Sequence, residues 1–268
     1  MTEALSVDVA ADELLDVGEM VKFACEGFVR LESVVPPELN RQVLSELEAY
    51  DGDGFKYWDT SATIRAVFEL PRLRGALRSV MGPDPVCNHS FVHIVPAHYA
   101  RAQDWHADAV IDTRPFRFDV LVMYFPQDTP REMGPTLVLP GSHLRDVRFG
   151  SVAHYRNIVG QQHLSCSAGT VFIIHADIWH CAQPNATDYT RYMFKMRLQL
   201  APSREQRGWF NTEGYNSADV LEAVFRAQQP WYGAEHREEQ VQRAMFWRYL
   251  CGDDCVDAAH GMLSRLGI

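Results

Sequence analysis

Residues 103–108 read Gln-Asp-Trp-His-Ala-Asp, which sets His106 and Asp108 two positions apart. In an extended chain, residues i and i+2 project from one face, so this spacing places an imidazole beside a carboxylate. One more imidazole from elsewhere would complete a facial triad of two histidines and one carboxylate. That donor set holds Fe(II) on one side and leaves the other coordination positions open. The tripeptide alone says little. The chain spells it again at His175-Ala-Asp177, so each copy is judged by its surroundings.

Downstream of Asp108 the candidates for the third donor are His143, His154, His163, His175 and His180. His180 is favoured by its place in Asp177-Ile-Trp-His-Cys-Ala-Gln-Pro-Asn185, where a strand-like run gives way to a turn suited to exposing a side chain. It also precedes Arg191, which lies in the strand-like run 190–197. A buried arginine in such a run is costly unless it meets an anion, and its planar fork suits a carboxylate. Beyond Asp177 the histidines are His180, His236 and His260, the last two in or beside helical sequence. The second tripeptide is therefore read as strand-end or turn residues. His143, in a Pro-Gly-Ser-His turn, is read as structural, and Arg197 as a surface or salt-bridge residue. Trp105 and Trp179 flank candidate ligands, where they either wall a pocket or pack a core.

These residues need elements to position them. Apolar spacing predicts a helix over 12–26, stopped by Gly27. A short strand over 28–35 and a helix from 36 to about 50, with proline near its first turn, follow. Residues 51–54 form a turn, and 71–81 a helix closed by Gly82-Pro-Asp-Pro. From about 86 to 200 the texture changes to short stretches rich in Val, Ile, Phe and Tyr: 90–95, 119–125, 136–140, 170–175 and 191–200. Strands in succession with no long helix between them predict an antiparallel sandwich or jelly roll. Helical sequence returns at 218–227, 237–250 and 255–266. The expected organisation is one domain over 1–268, with N-terminal helices and a strand (12–85), a jelly-roll core (86–200) and a C-terminal helical region (201–268).

Composition narrows the partners. A hydrophobic share of 47% supports a sizeable core. A net charge of −10 argues against a nucleic-acid or anionic-membrane partner. No apolar run approaches the ~18–20 residues needed to span a bilayer. The N-terminus carries acid where a signal peptide needs base, so the expected location is cytoplasmic. The six cysteines are scattered without framework spacing and are expected to be reduced thiols, Cys251 and Cys255 being ordinary residues near a helix end.

Taken jointly, Phe23-Ala-Cys-Glu-Gly-Phe-Val-Arg-Leu31, Trp105-His-Ala-Asp108, Met133-Gly-Pro-Thr-Leu-Val-Leu-Pro-Gly-Ser-His143, His180 and Arg191 carry a resemblance. Over roughly residues 20–200 the chain resembles the phytanoyl-CoA dioxygenase family of Fe(II)/2-oxoglutarate oxygenases. That family places its cosubstrate arginine about eleven residues after the distal histidine, and Arg191 stands eleven after His180. The resemblance implies a mainly β fold with flanking α-helices around a double-stranded β-helix (jelly-roll, cupin-like) core. It implies His106, Asp108 and His180 as iron ligands and Arg191 as partner of the distal carboxylate of 2-oxoglutarate. Gln103 and Thr136 match positions that relatives use towards the cosubstrate. Relatives commonly carry a small hydroxyl residue two after the distal histidine, and Ala182 stands there instead.

The activity so implied uses Fe(II), 2-oxoglutarate and dioxygen, and couples decarboxylation of the cosubstrate to oxidation of a small-molecule C–H bond, in a setting such as secondary metabolism. Related halogenases replace the carboxylate ligand with a small residue, so Asp108 favours hydroxylation or a variant such as desaturation. Two other readings stand beside it. A cupin-like metalloenzyme without 2-oxoglutarate leaves Arg191 and its spacing without a purpose. A catalytically silent ligand-binding protein has little reason to keep all three donors. No motif reports the substrate's identity or the oligomeric state.

Overall fold

The computed structural model describes residues 9–108, 118–145, 152–201, 209–214, 216–227 and 233–251. The first α-helix, α1 (Val17–Glu26), begins five residues later than the apolar spacing predicts, after a short 3-10 turn at Ala11–Glu13. The cause is a capping box. Asp16 accepts from the Glu19 amide at 2.8 Å, and the Glu19 carboxylate accepts from the Asp16 amide at 2.9 Å. Gly27, at φ 85°, ends α1 in the left-handed conformation that glycine adopts without penalty. Then come β1 (Phe28–Leu31), α2 (Pro37–Ala49), α3 (Tyr57–Thr60), α4 (Ala62–Phe68) and α5 (Pro71–Met81). The short helices α3 and α4 carry too few residues for a periodic signal. Ser61 caps α4 by accepting from the Ile64 amide.

The strands are β2 (Val86–Val95), β3 (Asp119–Phe125), β4 (Leu137–Val138), β5 (Gln162–His163), β6 (Thr170–His175), β7 (His180–Cys181) and β8 (Arg191–Gln199). Two antiparallel sheets result, one ordered β1-β6-β3-β8-β2 and the other β5-β4-β7. Every residue of β3 is buried, because both faces of the large sheet are covered. Val120, Val122 and Tyr124 join Phe23, Leu73 and other helix residues in one cluster. Leu121, Met123 and Phe125 join Phe172, Ile174 and Val138 in a second cluster towards the small sheet. A fully buried side chain of this size stabilises the fold by about 1.5–3 kcal/mol. The C-terminal helices α6 (Ser217–Arg226) and α7 (Ala234–Cys251) pack against α1. Phe246 fills that joint, 6.2 Å from the Phe23 ring and 5.4 Å from the Phe118 ring. The helix expected at 255–266, and Cys255 with it, lies outside the described residues; no disulfide joins any two of the other five cysteines. No helix among the described residues is long and apolar enough to cross a membrane.

The second His-x-Asp tripeptide serves packing. His175 ends β6, and its ring stacks on Phe118 at 5.0 Å and lies 4.9 Å from His143. His143 Nε2 sits 3.2 Å from the Ala24 carbonyl oxygen. Burial pushes His143 down to about 3, and burial with the neighbouring His143 pushes His175 well below its ordinary value. Both rings stay neutral in the folded protein, whereas the unfolded chain protonates them below about pH 6.5. Their contribution is therefore complete above that pH and lost as pH falls, approaching about 1.4 kcal/mol per pH unit for each ring. Chemical denaturation at about pH 7 and about pH 5.5 is expected to show a lower midpoint at the acid pH, with a smaller drop in His143→Gln. Equal midpoints in the parent protein would contradict this account.

Candidate metal centre

His106 lies in irregular extended chain after β2, not within a strand as its spacing suggested. One antiparallel bridge holds it: His106 N–H donates to the His180 carbonyl at 3.0 Å, and His180 N–H to the His106 carbonyl at 2.8 Å. The two histidines are thus direct cross-strand partners, their ring centroids 4.4 Å apart. The Asp108 amide donates to Ala176 O at 3.1 Å, which ties the carboxylate residue to the turn between β6 and β7.

Backbone carbonyls set the two rings. His106 Nδ1 is 2.7 Å from Asp104 O, and His180 Nδ1 is 2.9 Å from Ile178 O. A carbonyl only accepts, so each Nδ1 carries the proton and each Nε2 keeps its lone pair for a ligand role. Both Nε2 atoms lie 4.0 Å from Asp108 Oδ1. The three donor atoms fall within 4.8 Å of one another, the one such histidine and carboxylate group among the described residues. Burial, then the nearby His106, pushes His180 down to about 4, which keeps it neutral at physiological pH. Burial alone would raise Asp108, but Lys195, His180 and His106 outweigh it and hold the carboxyl below its ordinary value. The site therefore presents a neutral His180 imidazole and an ionised Asp108 carboxylate, the protonation states that metal ligation requires, beside the His106 ring.

His106 and His180 open on a cavity of about 270 Å³ whose lining also includes Gln103, Thr136, Arg191 and Lys195. Arg191 is the first residue of β8 and only 2% exposed. Its Nη1 donates to Met133 O at 3.2 Å, its Nε has no partner, and no carboxylate among the described residues pairs with it. Burial pushes it down to about 10, still a cation. Gln103 accepts from the Ala182 amide through Oε1 at 3.0 Å, which leaves its NH₂ as the group available to the cavity. Arg197, by contrast, is paired: its Nη2 lies 2.5 Å from Asp119 Oδ2. Trp105 and Trp179 pack with Leu137, Leu139 and Cys181, and neither lines the cavity.

The turn carrying Met133 depends on Gly134, at φ 69°, where a Cβ would sit 2.0 Å from the Pro184 carbonyl oxygen. Gly134→Ala is expected to cost about 2–4 kcal/mol through left-handed strain and backbone collision. Urea denaturation with an unchanged m-value is the check, and a loss under about 0.5 kcal/mol would contradict it.

Residues 51–193, 143 of the 268, match the family described as Phytanoyl-CoA dioxygenase (PhyH). The chain belongs to the phytanoyl-CoA dioxygenase family. Among curated proteins it is 31% identical over 115 residues to the uncharacterized protein Rv1501 of Mycobacterium tuberculosis, covering 42% of this chain and 40% of that one. The chain thus spans about two fifths of the length of the curated relatives it matches. The epimerase SnoN, solved with Fe3+, alpha ketoglutarate and nogalamycin RO, aligns with a TM-score of 0.57 at 19% identity, covering 69% of this chain and 84% of its own. HygX from Streptomyces hygroscopicus, solved with nickel and 2-oxoglutarate, aligns with a TM-score of 0.59 at 14% identity, covering 71% and 88%. At these identities the likeness is one of fold, the cupin-like jelly roll.

At this candidate site, sequence reasoning missed two side chains. Lys195 Nζ lies 3.4 Å from Asp108 Oδ2, and the buried His93 Nε2 lines the same cavity without a partner among the described residues. Lys195 was findable, because Arg191, Met193 and Lys195 share one face of a strand by period-two spacing. His93 was not, since only the β2/β8 register places it opposite Met193.

Proposed function

We propose that this protein is an Fe(II)- and 2-oxoglutarate-dependent dioxygenase that hydroxylates a small molecule of secondary metabolism. One observation carries the reading: Arg191 is a buried guanidinium with no carboxylate partner among the described residues, in the cavity onto which the His106–Asp108–His180 group opens. An uncompensated buried cation is costly, and a bound dicarboxylate removes that cost. In this reading His106, Asp108 and His180 hold the iron, and Arg191 binds the distal carboxylate of 2-oxoglutarate. The Gln103 NH₂ and Thr136 hydroxyl contact the cosubstrate. Iron, when bound, supplies dioxygen activation coupled to decarboxylation of 2-oxoglutarate. The chain's own part is to fix both imidazoles through the Asp104 and Ile178 carbonyls, to orient the cosubstrate from Arg191 and to keep Trp105 and Trp179 packed behind the ligands.

SnoN is an epimerase solved with Fe3+ and alpha ketoglutarate, so a likeness of fold does not choose the reaction outcome. Hydroxylation is preferred here because Asp108 fills the ligand position that halogenases leave open. The test is anaerobic titration with Fe(II) and 2-oxoglutarate, watched for a visible metal-to-ligand charge-transfer band, then succinate formation on admitting dioxygen. Metal binding without the band would move the reading to a cupin-like metalloenzyme that does not use 2-oxoglutarate. No metal binding would move it to a silent ligand-binding protein.

A further inference from the structure

The cavity and the chain carry opposite charge. The chain is −10 overall, yet among the described residues the cavity lining carries three cations, Arg101, Arg191 and Lys195, and no carboxylate; counting Asp108, which lies beside it 3.4 Å from Lys195, three cations stand against one carboxylate. A divalent metal and a dicarboxylate cosubstrate cancel each other, so loading the site leaves two positive charges in excess. A cleft lined by one sign of charge concentrates ligands of the other. The overall acidity of the protein therefore does not set what its pocket accepts.

Arg191 is taken by the cosubstrate in the reading above, and Arg101 is exposed. Lys195 remains. Its side chain is 15% exposed, and its hydrogen bond among the described residues is a long one, 3.4 Å to Asp108 Oδ2. An ammonium has three donors, so further hydrogen bonds are open to it. Arg191 and Lys195 stand two inward positions apart on β8, about 13 Å of strand. They suit different anionic groups or different ends of one.

The β2/β8 register places Phe91 opposite Lys195 and His93 opposite Met193, so His93 is a diagonal neighbour of Lys195 on the cavity face. Its Nε2 is buried, lines the cavity and has no partner among the described residues. Burial, with Lys195 and Arg191 nearby, pushes His93 down to about 3, so the ring is neutral and its Nε2 is free to carry a proton. A buried polar atom without a partner costs stability unless a ligand satisfies it. A cation and a neutral donor side by side are the recognition chemistry of a carboxylate.

We propose that Lys195 and His93 form a second anion subsite, distinct from Arg191, that takes a carboxylate of the substrate and makes the substrate class a carboxylic acid. This rests on the dioxygenase reading. Because Lys195 touches Asp108, an acid held there brings its adjoining carbons closest to the metal face.

The test uses the anaerobic Fe(II)- and 2-oxoglutarate-loaded protein, titrated with phenylacetate, octanoate and N-acetylleucine, each against its primary amide. At least one acid is expected to shift the charge-transfer band saturably, with its amide about 10–100-fold weaker. Lys195→Met is expected to keep the 2-oxoglutarate band and to weaken the acid response by a similar factor, while Lys195→Arg restores it. A band that no acid shifts, or an equal response to acid and amide, would overturn the subsite. A Lys195→Met protein that loses the band itself would also overturn it, assigning the amine to the cosubstrate's own keto-acid end. Absence of any band in the parent protein is a different failure: it sinks the dioxygenase reading and takes the subsite with it.

Discussion

Arg191→Met is expected to weaken 2-oxoglutarate binding by about 30–5,000-fold while leaving metal binding in place and the unliganded protein at least as stable. The two halves of this result have one cause. In the free protein the guanidinium is 2% exposed, gives one hydrogen bond to Met133 O at 3.2 Å, and keeps an unpartnered Nε. It is a desolvated charge without a counter-charge among the described residues. Replacing such a charge with an apolar side chain of similar length is neutral or stabilising, by up to a few kcal/mol. Once a carboxylate is bound, truncating the cation costs about 2–5 kcal/mol, which is the stated loss of affinity. A purely structural arginine would behave oppositely, with stability falling and cosubstrate affinity unmoved. Urea denaturation of the unliganded protein and an anaerobic 2-oxoglutarate titration of the Fe(II) form read the two quantities separately. Unchanged cosubstrate affinity would sink the assignment of Arg191.

His180→Ala is expected to weaken Fe(II) binding by more than about 100-fold, since loss of groups that merely orient metal ligands already costs about 10–100-fold. The backbone bridge between residues 106 and 180 uses main-chain atoms and persists in the alanine variant. The loss is thus the imidazole donor and not the strand pairing. His175→Ala is the internal contrast, because it removes the histidine of an identical His-Ala-Asp tripeptide. His175 stacks on Phe118 and packs near His143 and Phe246. Its removal leaves a cavity expected to cost about 2–4 kcal/mol with metal binding unchanged. Fe(II) or Co(II) titration of both variants, with denaturation curves alongside, separates them. Metal affinity retained in His180→Ala, or lost in His175→Ala, would overturn the choice between the two tripeptides.

The parts of the fold that were legible in advance share a cause. The limits of β3, β6 and α5 match the expected 119–125, 170–175 and 71–81. Continuous burial on both sheet faces leaves an unbroken apolar run, and proline and glycine mark both ends of α5. The two-residue strand β4 lies inside the expected 136–140, whereas the two-residue strands β5 and β7 show no such signal. Two residues have no periodicity, and it is the pairing itself that makes them strands. The start of α1 was misplaced because the Asp16 capping box outweighs the apolar spacing of Leu14 and Leu15.

The candidate site divides along the same line. Local covalent geometry settles that His106 and Asp108 can share a side, that Gly27 can end the first helix, and that Arg191, Met193 and Lys195 lie on one strand face. Residue type settles what each could do: imidazoles and a carboxylate for a metal, a guanidinium for a carboxylate. Contacts between distant positions were decided only on folding. The His106–His180 bridge selects one histidine from five candidates, and the Asp104 and Ile178 carbonyls choose which ring nitrogen is left free. The β2/β8 register brings His93 beside Lys195. Burial makes the lone charge of Arg191 costly, while Arg197, six residues on, meets Asp119. The physical reason is range. Spacing along a chain constrains neighbours within a few residues, whereas sheet register and desolvation belong to the assembled layers, and they determine which of several chemically equivalent side chains is poised to act.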